Sequence, residues 1–283
     1  FFAKPPEEIG PVVTAYSTLR KKDKPMEPGA RMGMCVGIGV GGLVLGLILG
    51  LLFKSPPTMV ILGLILGGGA FAISFFCTRF VHTCTFVGRD GIAKYVCRGA
   101  RRDVAEEWFL FEDATEIRTS QTRQYLNGGY QGTNYTFAWH DLGGRCCFSL
   151  AGTYQSEEGN PPEKDLFHFG NSAETSWTIY LLNQVQAQLK TSGSIFFPIK
   201  GKNWVRLAEE MIILNWNGET SEHHADEIAE VRIQEGWFEI RRHDAQKGWF
   251  SSSGIYRFPY SELGNARLFL VLMREVVGIE FNA

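Results

Sequence analysis

Hydrophobic positions fall into two textures along this chain. From Met32 to Phe53, MGMCVGIGVGGLVLGLILGLLF, 22 residues pass without a charge. At about 1.5 Å of rise per residue, such a helix crosses a hydrocarbon core of roughly 30 Å. Met59 to Phe76, MVILGLILGGGAFAISFF, is a second uncharged run of 18 residues, extended through Cys77 and Thr78 before Arg79 stops it. Only Lys54-Ser55-Pro56-Pro57-Thr58 separates the two runs, and prolines cannot continue a helix. The pattern predicts an antiparallel transmembrane hairpin. A secretory signal has a shorter apolar core and is not followed at once by a second span.

After Arg79 the period changes from continuous to alternating. RFVHTCTFV (79–87), GIAKYVCR (91–98), EEWFLF (106–111), TEIRTS (115–120), NYTFAWHD (134–141) and RCCFSL (145–150) are rich in aromatic and β-branched residues, with Gly-Arg-Asp-Gly, Asn-Gly-Gly and Leu-Gly-Gly turns between them. These are predicted antiparallel strands. A loop over 154–165 leads to a short strand LFHF (166–169) and then a helix capped by Asn171, with Glu174 three residues on and an apolar stripe of Trp177, Tyr180, Leu181, Val185 and Leu189. The second half repeats the plan: strands at 194–200, 203–208, 211–216, 227–234, 237–243 and 254–260, then a helix capped by Asn265, striped by Leu268, Phe269, Leu272 and Val276 and stopped by Gly278. LFHFGNSAETSWTIYLLNQV and YRFPYSELGNARLFLVLMREV correspond as strand, Gly-Asn and helix, which points to duplication.

Several antiparallel strands closed by one helix is the order of a pleckstrin-homology-like (PH-like) β-barrel. With its glycine-rich hairpin, F-V-G-R-D-G-I at 86–92 and Y-R-F-P-Y-S-E-L at 256–263, the chain over residues 32–283 resembles uncharacterised two-helix membrane proteins that carry PH-like cytoplasmic domains. That resemblance implies a membrane-anchored α+β architecture with two tandem PH-like antiparallel β-barrels, each plugged by its C-terminal helix, and brings no catalytic residues with it. The expected division is a disordered cytoplasmic tail (1–31), the hairpin (32–78) and PH-like domains at 79–192 and 193–283.

Charge distribution sets orientation and narrows function. Residues 1–31 carry 6 basic and 4 acidic groups, and residues 32–76 carry Lys54 alone. Arg20, Lys21, Lys22, Lys24 and Arg31 precede the first span, and Arg79, Arg89, Lys94 and Arg98 follow the second. Both ends are therefore expected on the cytoplasmic face of a plasma or inner membrane. Residues 77–283 hold 21 basic against 26 acidic groups, so the clustered basic excess of a nucleic-acid binder is missing. Mean hydropathy of -0.08 and an apolar fraction of 45% would hide the spans altogether, because the soluble part dilutes them. The chain opens on Phe1 rather than methionine, which leaves its true start open.

Little chemistry is written in motifs. There is no P-loop, dinucleotide fingerprint, G-x-S-x-G or H-E-x-x-H, and the six cysteines include no C-x-x-C. Cys146 and Cys147 are adjacent and would diverge on a strand. His223-His224, with Glu222, Asp226 and Glu227 nearby, reads as a solvated polar loop. No catalytic residue, cofactor or metal is expected. Lys94, Arg98, Arg101 and Arg102 form a candidate contact for an anionic headgroup or partner, although Asp103, Glu106 and Glu107 follow directly and offset their charge. Gly42, Gly46 and Gly50, with Gly63 and Gly67, repeat every fourth position, the spacing of close helix packing, and leave open a homo-oligomer through transmembrane glycines. The leading expectation is a non-catalytic scaffold that binds a protein partner or the bilayer surface. The alternative is an accessory subunit of a membrane enzyme or transport complex, with a site in the first domain's loops at Arg118–Tyr135, including Asn127-Gly128-Gly129.

Overall fold

The computed structural model describes residues 1–18, 26–52, 56–79, 81–98, 103–156, 160–163, 165–247, 252–279 and 281. By contacts the chain divides into two compact units. One comprises residues 1–4, 16–85 and 94–107, the other residues 5–15, 86–93 and 108–283.

The first unit is dominated by two long apolar helices, α1 (Pro28–Leu51) and α2 (Pro56–Cys77), each long and apolar enough to cross a membrane. They pack through missing side chains. A Cβ built on Gly46 would lie 2.6 Å from the Gly63 Cα, one on Gly42 2.7 Å from the Leu66 carbonyl oxygen, and one on Gly67 2.9 Å from the Gly39 carbonyl oxygen. Gly50 meets the Met59 backbone as closely, and Gly63 faces Leu43 and Leu47. Gly33, Gly37 and Gly41 have nothing within 4 Å. Arg31, at the start of α1, donates to the Phe75 carbonyl and to Thr78 Oγ1 (3.2 Å), with its guanidinium 4.4 Å from the Phe75 ring. A cation thus satisfies the last turn of α2, where carbonyls lack helical partners and the helix dipole is negative.

Fourteen strands form four antiparallel sheets among the described residues. The first runs in the order β1 (Val12–Ser17), β2 (Val81–Gly88), β3 (Gly91–Arg98) and β4 (Asp103–Leu110), and these strands contribute residues to both units. After it come β5 (Glu116–Leu126), β6 (Gly129–His140) and β7 (Cys146–Tyr154), then α3 (Leu166–Ser192). The second half has β8 (Ile195–Pro198), β9 (Trp204–Ala208), β10 (Met211–Trp216) and β11 (Glu219–His224) in one sheet. It continues with β12 (Ile228–Gln234), β13 (Trp237–Lys247) and β14 (Ser252–Pro259) in another, and ends on α4 (Ala266–Leu272) with a widened π turn at Met273–Val277. Among the described residues each half therefore reads four strands, three strands, helix, and no strand of one half joins a sheet of the other.

The helices close hydrophobic cores. Phe109 stacks on Phe148 at 5.6 Å and Phe111 meets Trp177 edge-on at 5.4 Å. In the second half Phe197, Phe238 and Phe258 pack with Phe269, Leu268 and Leu272. Trp177, Leu268 and Leu272 are buried and Leu181 is partly buried.

Five expectations change. Among the described residues no sheet closes into a barrel: the sheets are open, with single 3-10 turns at Phe111–Asp113 and Ala225–Glu227 carrying the chain from one to the next. The tail is not uniformly disordered. Ile9 is fully buried and Val12–Ser17 is the first strand, a segment too short for its alternation to stand out between prolines. LFHF is the first turn of α3, not a strand, because the Asp165 carboxylate caps it by accepting from Phe167 N at 2.8 Å. Asn171 consequently lies inside the helix. His223 and His224 lie on β11, not in a loop, and His223 is buried.

Candidate functional site

In the second unit the two halves meet along a polar seam built from α3, α4 and β5. Asn265 starts α4 with φ 57°, a left-handed conformation that asparagine tolerates. Its side chain does not cap its own helix. Oδ1 instead accepts from Ile117 N (3.0 Å) and from Trp177 Nε1 (2.8 Å), while Nδ2 donates to the Thr115 carbonyl (3.0 Å). The Asn265 backbone N–H adds a bond to the Ile117 carbonyl at 2.9 Å. Beside it a Cβ on Gly264 would strike the Glu116 carboxylate, so the second half approaches the first as closely as a glycine permits.

Two residues farther on, Arg267 reaches α3. Its guanidinium donates to Glu174 Oε2 (2.9 Å), to Thr175 Oγ1 (3.2 Å) and to Asn171 Oδ1. Glu174 is 4% exposed at its side chain against 35% for Arg267, so the carboxylate bears most of the desolvation. Burial pushes its pKa up, and Arg267 partly opposes that shift. Oε1 of Glu174 is buried without a hydrogen-bond partner. Such an orphan costs about 1–3 kcal/mol or more and is rare in folded proteins.

These groups line a cavity of about 310 Å³. Thr119, Ser120, Gln121 and Thr122 of β5 line it together with the Phe137 and Phe167 rings, and Asn171, Glu174, Gly236, Tyr260, Ser261 and Arg267 complete the lining. Burial pushes the Tyr260 phenol up to about 12, with Glu174 adding to the shift while Arg267 and a bond to Thr119 oppose it. At neutral pH it remains a donor. The volume lies at the lower end of the range for small-molecule sites, and the lining mixes two aromatic rings with convergent polar groups.

The chain matches no protein-family model and no curated protein. Its chemistry must therefore be read from the geometry alone.

The residues singled out by sequence are dispersed. Lys94 on β3 lies 3.7 Å from Glu107 on β4, and Arg98 is exposed at the end of its strand. Arg101 and Arg102 lie outside the described residues. Gly42, Gly46, Gly50, Gly63 and Gly67 sit on the contact between α1 and α2. Segment 118–135 is a long hairpin whose turn has positive φ at Asn127 (50°) and Gly128 (80°), the backbone that a tight two-residue turn requires. Its base, Thr119–Thr122, reaches the cavity. Among the described residues no group of three His, Cys, Asp or Glu side chains could hold a metal.

A second polar cluster lies in the other half. His223 Nε2 is 3.0 Å from Ser221 Oγ and 2.9 Å from the Tyr256 hydroxyl, and Nδ1 is 3.4 Å from Glu227. The order resembles an acid–base triad. Tyr256 competes for the same ring nitrogen, however, and the seam cavity does not reach Ser221. Burial lowers the His223 pKa, with the Arg242 charge acting in the same direction, so the ring is held neutral as a packed hydrogen-bonding group.

Sequence reading missed Glu174 and Arg267 as a pair. One signal was present: Glu174 stands three residues before Trp177 on the face that the apolar stripe assigns to the core, where an ionisable side chain demands a partner.

Proposed function

We propose that the chain is a membrane-anchored, non-catalytic interaction protein whose two PH-like modules present a surface to a protein partner or to the bilayer. The observation that carries this reading is the place of the hairpin: β1 precedes α1, β2 follows α2, and the two strands are neighbours in one sheet. A hairpin inserted between paired strands leaves the membrane at two points of one module, and both flanking segments must then lie on the same side of the bilayer. Basic residues on both flanks, against Lys54 alone in the turn, favour the cytoplasmic side. The order of four strands, three strands and helix in each half supports the PH-like assignment, with open sheets in place of a closed barrel. Lipid contact by Lys94, Arg98, Arg101 and Arg102, and self-association through the glycines that face away from the hairpin contact, belong to the same proposal.

The test is purification of the full chain in mild detergent with quantitative mass spectrometry, alongside flotation with anionic and neutral vesicles. A stoichiometric partner, or flotation that depends on anionic lipid, supports the reading. A monomer that does neither contradicts it. The alternative of an accessory subunit draws on the contribution of Thr119–Thr122 to the seam cavity, and recovery of a membrane enzyme or transporter in stoichiometric amount would favour it.

A further inference from the structure

We propose that the tip of the β5–β6 hairpin is a bilayer contact, with Leu126 and the Tyr125–Tyr130 pair seated at the acyl boundary of an anionic leaflet and Arg123 among its headgroups. This contact rests on the membrane-anchored reading and supplies the residues through which the first module touches lipid.

The geometry is that of a preformed apolar tip. Ile117 and Thr119 are buried at the base of the hairpin, but every residue over 121–129 is exposed, so the ribbon projects past its core. The turn at Asn127 and Gly128 fixes its end. Tyr125 and Tyr130 stand opposite each other with rings 5.9 Å apart, and the Tyr130 hydroxyl lies 2.7 Å from Thr133 Oγ1. Tyr125 is 60% and Leu126 64% exposed, although neither serves the core.

Charge selects lipid as the occupant. No Asp or Glu occurs between Glu116 and Asp141, whereas residues 77–283 as a whole carry 21 basic against 26 acidic groups. Arg118 is paired with Glu116 at 2.9 Å, which leaves Arg123 as the cation of the tip. It stands two residues behind Tyr125 and three behind Leu126, about 7–10 Å along the strand. Interfacial segments bury their apolar part about 5–10 Å deep, so the guanidinium is level with the phosphates when Leu126 reaches the acyl boundary. Tyrosine, apolar in body and polar at its end, suits the same layer. Because α1 and α2 are apolar enough to hold a bilayer on the same chain, the contact is intramolecular and a few side chains suffice.

Exposure alone does not select this tip. Leu142 is 90% exposed, but its turn is charged, with Asp141 and Arg145 paired at 3.1 Å. It also lies beyond the other end of β6, a strand of 12 residues and about 40 Å.

The experiment places an environment-sensitive fluorophore at Leu126→Cys, Leu142→Cys or Leu64→Cys, one at a time in a cysteine-free background of the full chain. The chain is held in nanodiscs of phosphatidylcholine and phosphatidylglycerol that include a nitroxide lipid. Leu64, exposed on α2, reports the anchor. Quenching is expected at positions 64 and 126, with position 126 at least about threefold above position 142. Arg123→Glu, or discs of phosphatidylcholine alone, should reduce quenching at position 126 about fivefold and leave position 64 unchanged. Position 126 unquenched beside a quenched position 64 overturns the proposal and leaves the anchor standing, whereas an unquenched position 64 removes both. Equal quenching at positions 126 and 142 overturns it as well, as does a tip that stays clear of lipid and cross-links to a protein in cells. Should the cysteine-free background fail to fold, hydrogen exchange over residues 124–131 in the chain with its own cysteines decides the matter. Exchange should be about fivefold slower in anionic than in neutral discs, and equal rates overturn the proposal.

Discussion

The hairpin and the seam are both close contacts, and they are made by opposite means. Between α1 and α2 the helices approach because side chains are absent, with Gly46 against Gly63 and Gly42 against the Leu66 carbonyl. Between the two halves of the second unit the approach is made by polar side chains that are buried and bonded, with Asn265 holding two backbone groups and the Trp177 indole. For helices apolar enough to cross a membrane, contact inside lipid would bring no hydrophobic gain, which leaves shape to carry the packing. At the seam the Asn265 side chain finds a partner at both ends of its amide, so hydrogen bonding rather than shape alone decides which arrangement survives. The consequence is a difference in how each region fails: the hairpin by addition of volume, the seam by removal of a partner.

The largest effect should come from the seam. Asn265→Ala orphans Ile117 N–H, Trp177 Nε1 and the Thr115 carbonyl together. The expected loss of folding stability is about 2–5 kcal/mol, read by denaturant titration of the full chain in detergent. Trp177→Phe, which removes only the indole donor, should cost less. Equal losses would mean that Asn265 does not unite the two halves.

Volume is the matching perturbation in the hairpin. Gly46→Leu should lower thermal stability by about 1–3 kcal/mol or separate the helices in a cross-linking assay, since its Cβ would lie 2.6 Å from the Gly63 Cα. Gly37→Leu, with open space around it, should leave the hairpin intact. A monomer–dimer shift in Gly37→Leu alone would assign that face to self-association.

The smallest effect is a pH dependence at the edge of the seam. The Tyr260 phenol ionises near pH 10 in the unfolded chain and is pushed up to about 12 when folded. The folded state therefore holds its proton more tightly, and stability is lost as pH rises above about 10. At pH 11 the wild type should lose about 1.4 kcal/mol more than Tyr260→Phe, and absorbance titration should show one fewer late-titrating tyrosine in the variant. Parallel alkaline profiles would show the phenol to be open to water.

How legible the molecule was in sequence depends on the kind of signal. The two apolar runs exceed any soluble alternative in length, so α1 and α2 needed no tertiary information. Strands β2 to β7 were visible through aromatic and β-branched alternation. By contrast β1 was hidden, because Val12–Ser17 acquires its meaning only by pairing with a strand more than sixty residues away. β11 was hidden by composition: ETSEHH alternates, but with His223 as the buried member in place of an aliphatic residue. The Asn265 position was recognised as a helix start, while its bonds to Thr115, Ile117 and Trp177 depend on how the halves dock, which no local pattern records. For the same reason the spacing of Asn171 and Glu174 suggests a capped start for the helix, whereas the Asp165 carboxylate holds that role.

The central claim is that the hairpin is inserted within the first module, so that both of its flanks lie on one side of the membrane. Labelling intact cells with a membrane-impermeant maleimide tests it, using Ala15→Cys, Ser55→Cys and Leu142→Cys one at a time in a cysteine-free background. Ala15 precedes the hairpin, Leu142 follows it, and both are exposed, whereas Ser55 lies in the connection between the helices. The account predicts that Ser55→Cys is labelled from outside and that Ala15→Cys and Leu142→Cys are labelled only after the cells are opened. Labelling of Ala15→Cys and Leu142→Cys from opposite sides would contradict it.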